Sequence, residues 1–329
     1  MRSIVNVVGR GARLLPALLL LACVPPAAVA QAQTPTADGA TVALTVTVTN
    51  ARGEFVMGLG ANDFAVTAGG RAREVAYARV VDAPASVGVL IDTSGSMGYI
   101  SSQRIANDKT VRESVGRFVR LGHDANDYFV ARVGTRPELL SDWSRAERVN
   151  VAGVNSEEMA RATALYDSVF AAVEKLRGAL NSKRVVVLVS DGLDTVSEHK
   201  LEEVARLLAG GDVILYAVGV FGGNDPRNFS GDPNLNWQFD KDGRDVLEEL
   251  AAATGGKVFY PADAKEFAAA FDAIAVELRH QYELGVRLGA DTAAAKKPLA
   301  LKVKVNPPSD RPDFKRLSAR TRKAYVPKS

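Results

Sequence analysis

An Asp-x-Ser-x-Ser run at Asp92, Ser94 and Ser96 closes the apolar stretch Val87-Gly88-Val89-Leu90-Ile91. A buried strand that ends this way sets one carboxylate and two hydroxyls in a tight loop at the carboxyl edge of a sheet, where doubly wound folds bind ligands. All three groups are hard oxygen donors, suited to Mg²⁺ or Mn²⁺ and poorly suited to zinc. Thr163, in Ala162-Thr163-Ala164-Leu165-Tyr166-Asp167, stands at the start of a helical pattern, and Asp191 follows the run Val185–Ser190. The three segments are about 70 and about 28 residues apart, so only the fold can unite them. A Mg²⁺ held by neutral hydroxyls and few carboxylates keeps residual positive charge and an exchangeable position for a partner's Asp or Glu, which favours binding over catalysis. The alternative use of Asp92 and Asp191 is to cap neighbouring helices.

The elements that must position these residues begin after Pro84. Strands are predicted at Val87–Ile91, Tyr128–Val133, Arg184–Ser190, Val213–Val220 and Lys257–Tyr260, alternating with helices at Gln103–Leu121, Ala162–Leu180, His199–Leu208, Asp245–Thr254 and Ala264–Leu278. The nearly continuous apolar runs of the first and third strands are those of a sheet covered by helices on both faces. The expected fold is a doubly wound, mostly parallel α/β domain over residues 85–280. Before it, Thr41–Thr49 alternates apolar and Thr residues, and Phe64–Ala68 and Glu74–Val81 flank a Gly69-Gly70 turn, giving a β unit over 41–84. After it, Glu283–Leu288, Leu299–Val305 and Lys315–Ala319 read as strands within 281–329. Short strands need partners and chain ends often lie close together, so the two units are expected to pair into one flanking β module.

The first 30 residues carry Arg2, Arg10 and Arg13, an apolar run from Leu14 to Leu21 and Ala28-Val29-Ala30, the arrangement of a cleaved secretory signal. An extracytoplasmic protein is expected, whether periplasmic, secreted or envelope-anchored. The apolar run is too short to span a membrane, and no later stretch is long enough. Residues 31–40 read as a flexible lead. Leu20-Leu21-Ala22-Cys23 resembles a lipoprotein cleavage box, so Cys23 is a lipidation candidate, while cleavage after Ala30 is the competing outcome.

Cys23 is the only cysteine, which excludes an internal disulfide, thiol catalysis and Cys-based zinc sites in the mature chain. The chain of 329 residues is 47% hydrophobic, against disorder or a collagen-like fold. Its formal charge of +3 comes from the three leader arginines, without which basic and acidic residues balance, so a nucleic-acid binder has no compositional support. The charge is uneven all the same. Residues 292–329 hold a basic surplus, which is either a solvated tail or a surface for an anionic partner such as lipid headgroups.

The α/β portion resembles a von Willebrand factor type A domain, with Asp92, Ser94, Ser96, Thr163 and Asp191 matching the family's metal-ion-dependent adhesion site. The leading Gly58–Phe64 and trailing Gln281–Gly285 segments extend the likeness to bacterial exported proteins of the VWFA-related type. The resemblance implies a Mg²⁺ completed by an Asp or Glu of a protein or peptide partner, and no enzymatic activity. Ser94 and Ser96 are implied as direct ligands, and Thr163, Asp92 and Asp191 as ligands acting directly or through water. Arg161-Ala162 stands before Thr163 where relatives often have Gly-Gly, which puts a cation beside the metal and makes Arg161 a ligand-binding candidate.

A long polar loop is expected from Phe221 to Asp240 on the metal's edge of the sheet, with Phe229, Trp237 and Phe239 either as aromatic anchors for the partner or as fasteners of the loop. Asp240-Lys241-Asp242-Gly243 lacks the glycine position and distal Glu of an EF-hand. A subtilisin-like hydrolase fails for want of suitable contexts around His123, His199 and His280, and no phosphate-binding glycine loop occurs. The remaining rival is a structural scaffold of an envelope assembly, engaging partners through the β module or the basic tail.

Overall fold

The structure, a computed structural model, describes residues 41–97, 107–154, 162–221, 233–289, 292, 295, 297–306 and 316–326, with the backbone alone over 233–240. Its central sheet is built on β4 (Ala85–Asp92), which is buried along its whole length. Parallel to it lie β5 (Asp127–Val133) on one side and β7 (Lys183–Ser190), β8 (Val213–Gly219) and β9 (Val258–Phe259) on the other. An antiparallel edge strand, β6 (Glu138–Ser144), completes the order β6-β5-β4-β7-β8-β9. The chain moves outward from β4 to β5 and β6 and then returns to β7 on the opposite side. The carboxyl ends of β4 and β7 therefore flank the point where the winding reverses, the crevice where such sheets bind ligands.

Alternation along the strands divides the core in two. Val87, Val89, Ile91, Val185 and Val187 face α1 (Asp108–Leu121) and α5 (Ala264–Leu278), whose Phe118 and Phe271 rings meet edge to face with centroids 5.9 Å apart. Leu90, Val186, Leu188 and Leu215 face α2 (Leu165–Arg177), α3 (Leu201–Gly210) and α4 (Pro233–Thr254). The continuous apolar runs thus serve both faces, as their sequence implies.

A second, antiparallel sheet is assembled from both sides of the α/β region. β1 (Thr41–Thr49), β2 (Phe64–Ala68), β3 (Arg71–Val80), β10 (Tyr282–Arg287), β11 (Leu299–Val305), β12 (Ser318–Arg320) and β13 (Ala324–Tyr325) take the order β12-β1-β10-β3-β2-β11-β13. β10 inserts between β1 and β3, with Tyr282 opposite both Val46 and Val80. The α/β domain is consequently an insertion between two neighbouring strands, closed at its base by the Val81 N–H donating to the Gln281 carbonyl at 3.0 Å. Leu44, Val46, Val48, Phe64, Tyr282 and Leu284 form this module's own core.

Several boundaries differ from the sequence expectation. β6 and β13 had no predicted counterpart, and α2 occupies 165–177 rather than 162–180. α1 begins at Asp108, where Asn107 Oδ1 accepts the Thr110 N–H at 2.9 Å, and the predicted start at Gln103 lies outside the described residues. The largest correction concerns the expected loop to Asp240: α4 starts at Pro233, a residue whose missing N–H suits the first helical position. Trp237, Phe239 and the Asp240–Gly243 run therefore lie on a helix.

The two sheets are joined through one buried carboxylate. Glu277, 4% exposed near the end of α5, accepts from Thr47 Oγ1 of β1 at 3.0 Å, from Tyr216 Oη of β8 at 2.7 Å and from the Arg320 guanidinium of β12. Tyr216 Oη in turn accepts from Gln281 Nε2 at 3.1 Å. Removing a partner from a buried charged network leaves the others uncompensated. Glu277→Ala is expected to lower unfolding free energy by about 3 kcal/mol in urea titrations, and Glu277→Gln, which keeps an acceptor oxygen, by less.

Candidate metal centre

Asp92 ends β4 and Asp191 directly follows β7, neighbours in the sheet, so parallel pairing alone brings their carboxylates to one edge. Both are 3% exposed, as are, within a percent, Ser94 at 2% and Thr163 at 4%. The Asp92 Oδ1 atom accepts the Ser94 N–H at 2.9 Å, which folds the chain back into a tight turn. That turn sets Ser94 Oγ and Ser96 Oγ 3.0 Å apart. On the other side, Ser190 Oγ donates to Asp92 Oδ2 at 2.7 Å and accepts the Gly192 N–H at 2.9 Å, tying the two loops together. Asp191 Oδ1 accepts the Leu193 N–H at 3.0 Å.

Thr163 joins them through the segment after Asp191. Its carbonyl accepts the Thr195 N–H at 2.8 Å, and its own N–H donates to Thr195 Oγ1 at 2.8 Å. A second fastening lies behind it. Asp167, in the first turn of α2, accepts the backbone N–H groups of Glu198 and His199 at 3.0 Å each and contacts His199 Nδ1 at 2.7 Å, while the His199 ring stacks on Phe170 with centroids 3.9 Å apart. Burial acts to raise the Asp167 pKa, but these hydrogen bonds outweigh it and hold the carboxyl below the usual range.

The Asp191-Gly192 turn leans on α4. Gly192 has φ of +80°, a conformation that costs an L side chain strain, and a Cβ on it would collide with the Gly243 carbonyl. A Cβ on Gly243 would in turn collide with the Asp191 carbonyl. The glycine that reads as a break in the α4 pattern is thus a contact point, leaving room for the backbone that carries Asp191.

The chemistry of this set fits a hard divalent cation. Burial, with the like charge of Asp191 adding to it, pushes the Asp92 carboxyl up to about 7 against the opposing hydrogen bonds from Ser190 and Ser94. Two carboxylates crowded out of water, beside paired hydroxyls, are relieved by a cation that oxygen ligands can hold. Among the described residues no group of three His, Cys, Asp or Glu side chains is placed to hold a metal ion.

The family model of the von Willebrand factor type A domain matches residues 86–273. The chain belongs to this family. No curated protein matches the chain. Among solved structures it is similar to proximal thread matrix protein 1 from the mussel byssus, at 17% identity and a TM-score of 0.45, with 70% of this chain and 49% of that one covered. It is also similar to a von Willebrand factor type A protein from Catenulispora acidiphila, at 12% identity and 0.46, with 83% and 72% covered. An aerotolerance-related membrane protein from Bacteroides fragilis gives 15% identity and 0.39, with 59% and 98% covered. The chain thus spans about half the length of the mussel protein.

Of the other candidates, Arg161, Phe229 and Cys23 lie outside the described residues, and Trp237 and Phe239 are placed by backbone only, in the first turns of α4. Ser190, Thr195 and the Asp167–His199 pair were not singled out from sequence. Asp167 alone left a signal, an acid in the first turn of a helix.

Two expectations follow. Gly192→Ala should destabilise the fold by about 1–3 kcal/mol in thermal or urea unfolding. In metal-free protein the Asp92 pKa of about 7 exceeds the unfolded value of about 3.9, so the folded state holds the extra proton between them. The stability contributed by protonated Asp92 is then full below about pH 4 and lost by about pH 7. Urea midpoints of the wild type relative to Asp92→Asn should fall across that window, and Mg²⁺ at pH 7.5 should raise the wild-type midpoint alone.

Proposed function

We propose that this chain is an exported binding module that captures a protein or peptide by completing a metal's coordination with the partner's Asp or Glu carboxylate. The observation that carries the reading is the Asp92 carboxyl, buried beside Asp191 and next to the Ser94–Ser96 hydroxyl pair. Asp92, Ser94, Ser96, Thr163 and Asp191 would hold the ion, Mg²⁺ or alternatively Mn²⁺, directly or through water. The bound ion would supply a positive charge only partly neutralised by the protein, the attraction a carboxylate answers.

The remaining work belongs to this chain. Ser190 orients Asp92, Thr195 fixes Thr163, and Asp167 anchors the segment between them, so the donors are held before a ligand arrives. Family members typically act as interaction modules, the role this reading assigns to the site. Export is supported by the basic, apolar and small-residue order of residues 1–30, and among the described residues no helix is long and apolar enough to cross a membrane.

The test is calorimetric titration of Mg²⁺ and Mn²⁺ into metal-stripped protein, with Asp92→Ala alongside. One site that disappears in the variant is the expected result. Partner capture that is indifferent both to chelator and to Asp92→Ala would overturn the reading and move the partner to the β module.

A further inference from the structure

At the amino edge of the central sheet, opposite the metal centre, lies a cavity of about 610 Å³ between the α/β domain and the β module. That volume falls within the range of small-molecule sites. Its walls are largely apolar, with Val42, Val213, Ile214, Tyr282, Tyr325 and Val326 among them. Three cations, Lys183, Arg184 and Arg322, also line it, against two acids, Asp212 and Glu283.

Of the two acids, Asp212 lies against Arg322. Glu283 is engaged from the other side, accepting from Tyr77 Oη at 3.0 Å and from Arg79 at 2.6 Å. Arg322 has a side chain only 12% exposed, yet its contacts are long: 3.4 Å to the Gly211 carbonyl, 3.4 Å to the Ala43 carbonyl and 3.5 Å to Asp212 Oδ1. Charge-assisted bonds of a guanidinium ordinarily run about 2.7–2.9 Å. Lys183 Nζ donates to the Leu278 carbonyl at 2.6 Å and to the Val81 carbonyl at 3.3 Å, which uses two of the three N–H bonds an ammonium offers. Arg184 Nε is buried with no hydrogen-bond partner among the described residues. Burial pushes the Lys183 amine down to about 8 against the pull of Asp82 and Glu283, and holds the Arg322 guanidinium below its ordinary value against that of Asp212.

We propose that this cavity binds an organic monocarboxylate with an apolar body, its carboxylate taken by Arg322 and Lys183 and its body packed against Val42, Ile214 and Val326. A free fatty acid and the C-terminus of a peptide ending in an apolar residue share this chemistry. Neither depends on the metal site, since the two lie at opposite edges of the sheet.

The experiment titrates octanoate, octanamide, and a capped tripeptide ending in leucine with either a free or an amidated terminus into the purified protein by calorimetry. A single site is expected for an acid, with its neutral amide at least about ten-fold weaker, the loss of a charge-assisted bond. Arg322→Gln should weaken acid binding about ten-fold. Ala83→Phe, which fills the cavity from a residue outside both sheets, should abolish it and serves as an independent variant if Arg322→Gln fails to fold. Tighter binding of octanoate assigns a fatty acid, and tighter binding of the tripeptide assigns a peptide terminus. Asp92→Ala should leave the affinity unchanged, so that loss of the metal reading does not carry this one with it. Absence of binding by both acids, equal binding of the amides, or indifference to both cavity variants would overturn the proposal.

Discussion

The chain enters and leaves its α/β domain through adjacent antiparallel strands, and most of the remaining architecture answers to that constraint. β3 and β10 pair from Val80 and Tyr282 onward, so the domain's two ends must meet within one strand spacing. Once β10 is committed to β3, its other edge is open, and β1 fills it. That draws the start and the end of the described chain into one sheet with a core of its own. The join then needs polar groups that are satisfied without water. Glu277 meets the need by accepting from β1, β8 and β12 at once, which locks the last helix of the domain to both sheets.

At the far edge the same parallel pairing produces a problem of charge. β4 ends in an acid and its neighbour β7 is directly followed by one, and the burial that stabilises their apolar runs also strips those acids of water. A raised carboxyl at Asp92 is the result in the protein alone. Among the described residues Ser190 orients it, while Thr195 fixes Thr163 and Asp167 anchors the segment beyond Asp191.

What was legible in the sequence was whatever two-sided burial had written there. Val185 to Val189 could be read as a central strand because every residue meets a helix, and Asp92, Ser94 and Ser96 could be placed because a buried strand must end at a known edge. β6 left no such mark. It is an edge strand whose residues are exposed or half-buried, with Asp142 engaged by Lys175 at 2.6 Å, so neither alternation nor an apolar run announces it. α4 was read too short because Gly243 and the acids around it look like loop, whereas the glycine answers to Asp191 across space. Nothing in the sequence marks Glu277, for its partners lie about 230, 61 and 43 residues away in the chain.

The insertion between β3 and β10 also decides how the molecule carries load. Were the chain held near Thr41 while a partner pulled on the opposite edge of the central sheet, tension would pass from β4 and α5 into β3 and β10 and then to β1. The register of β1 on β10 runs over Thr41–Val46 with hydrogen bonds perpendicular to the strands. A pull along the strands loads that ladder in shear, all rungs together, instead of peeling them one at a time. The terminal sheet, in this sense, meets such a pull broadside, through a ladder of six paired positions from Thr41 to Val46.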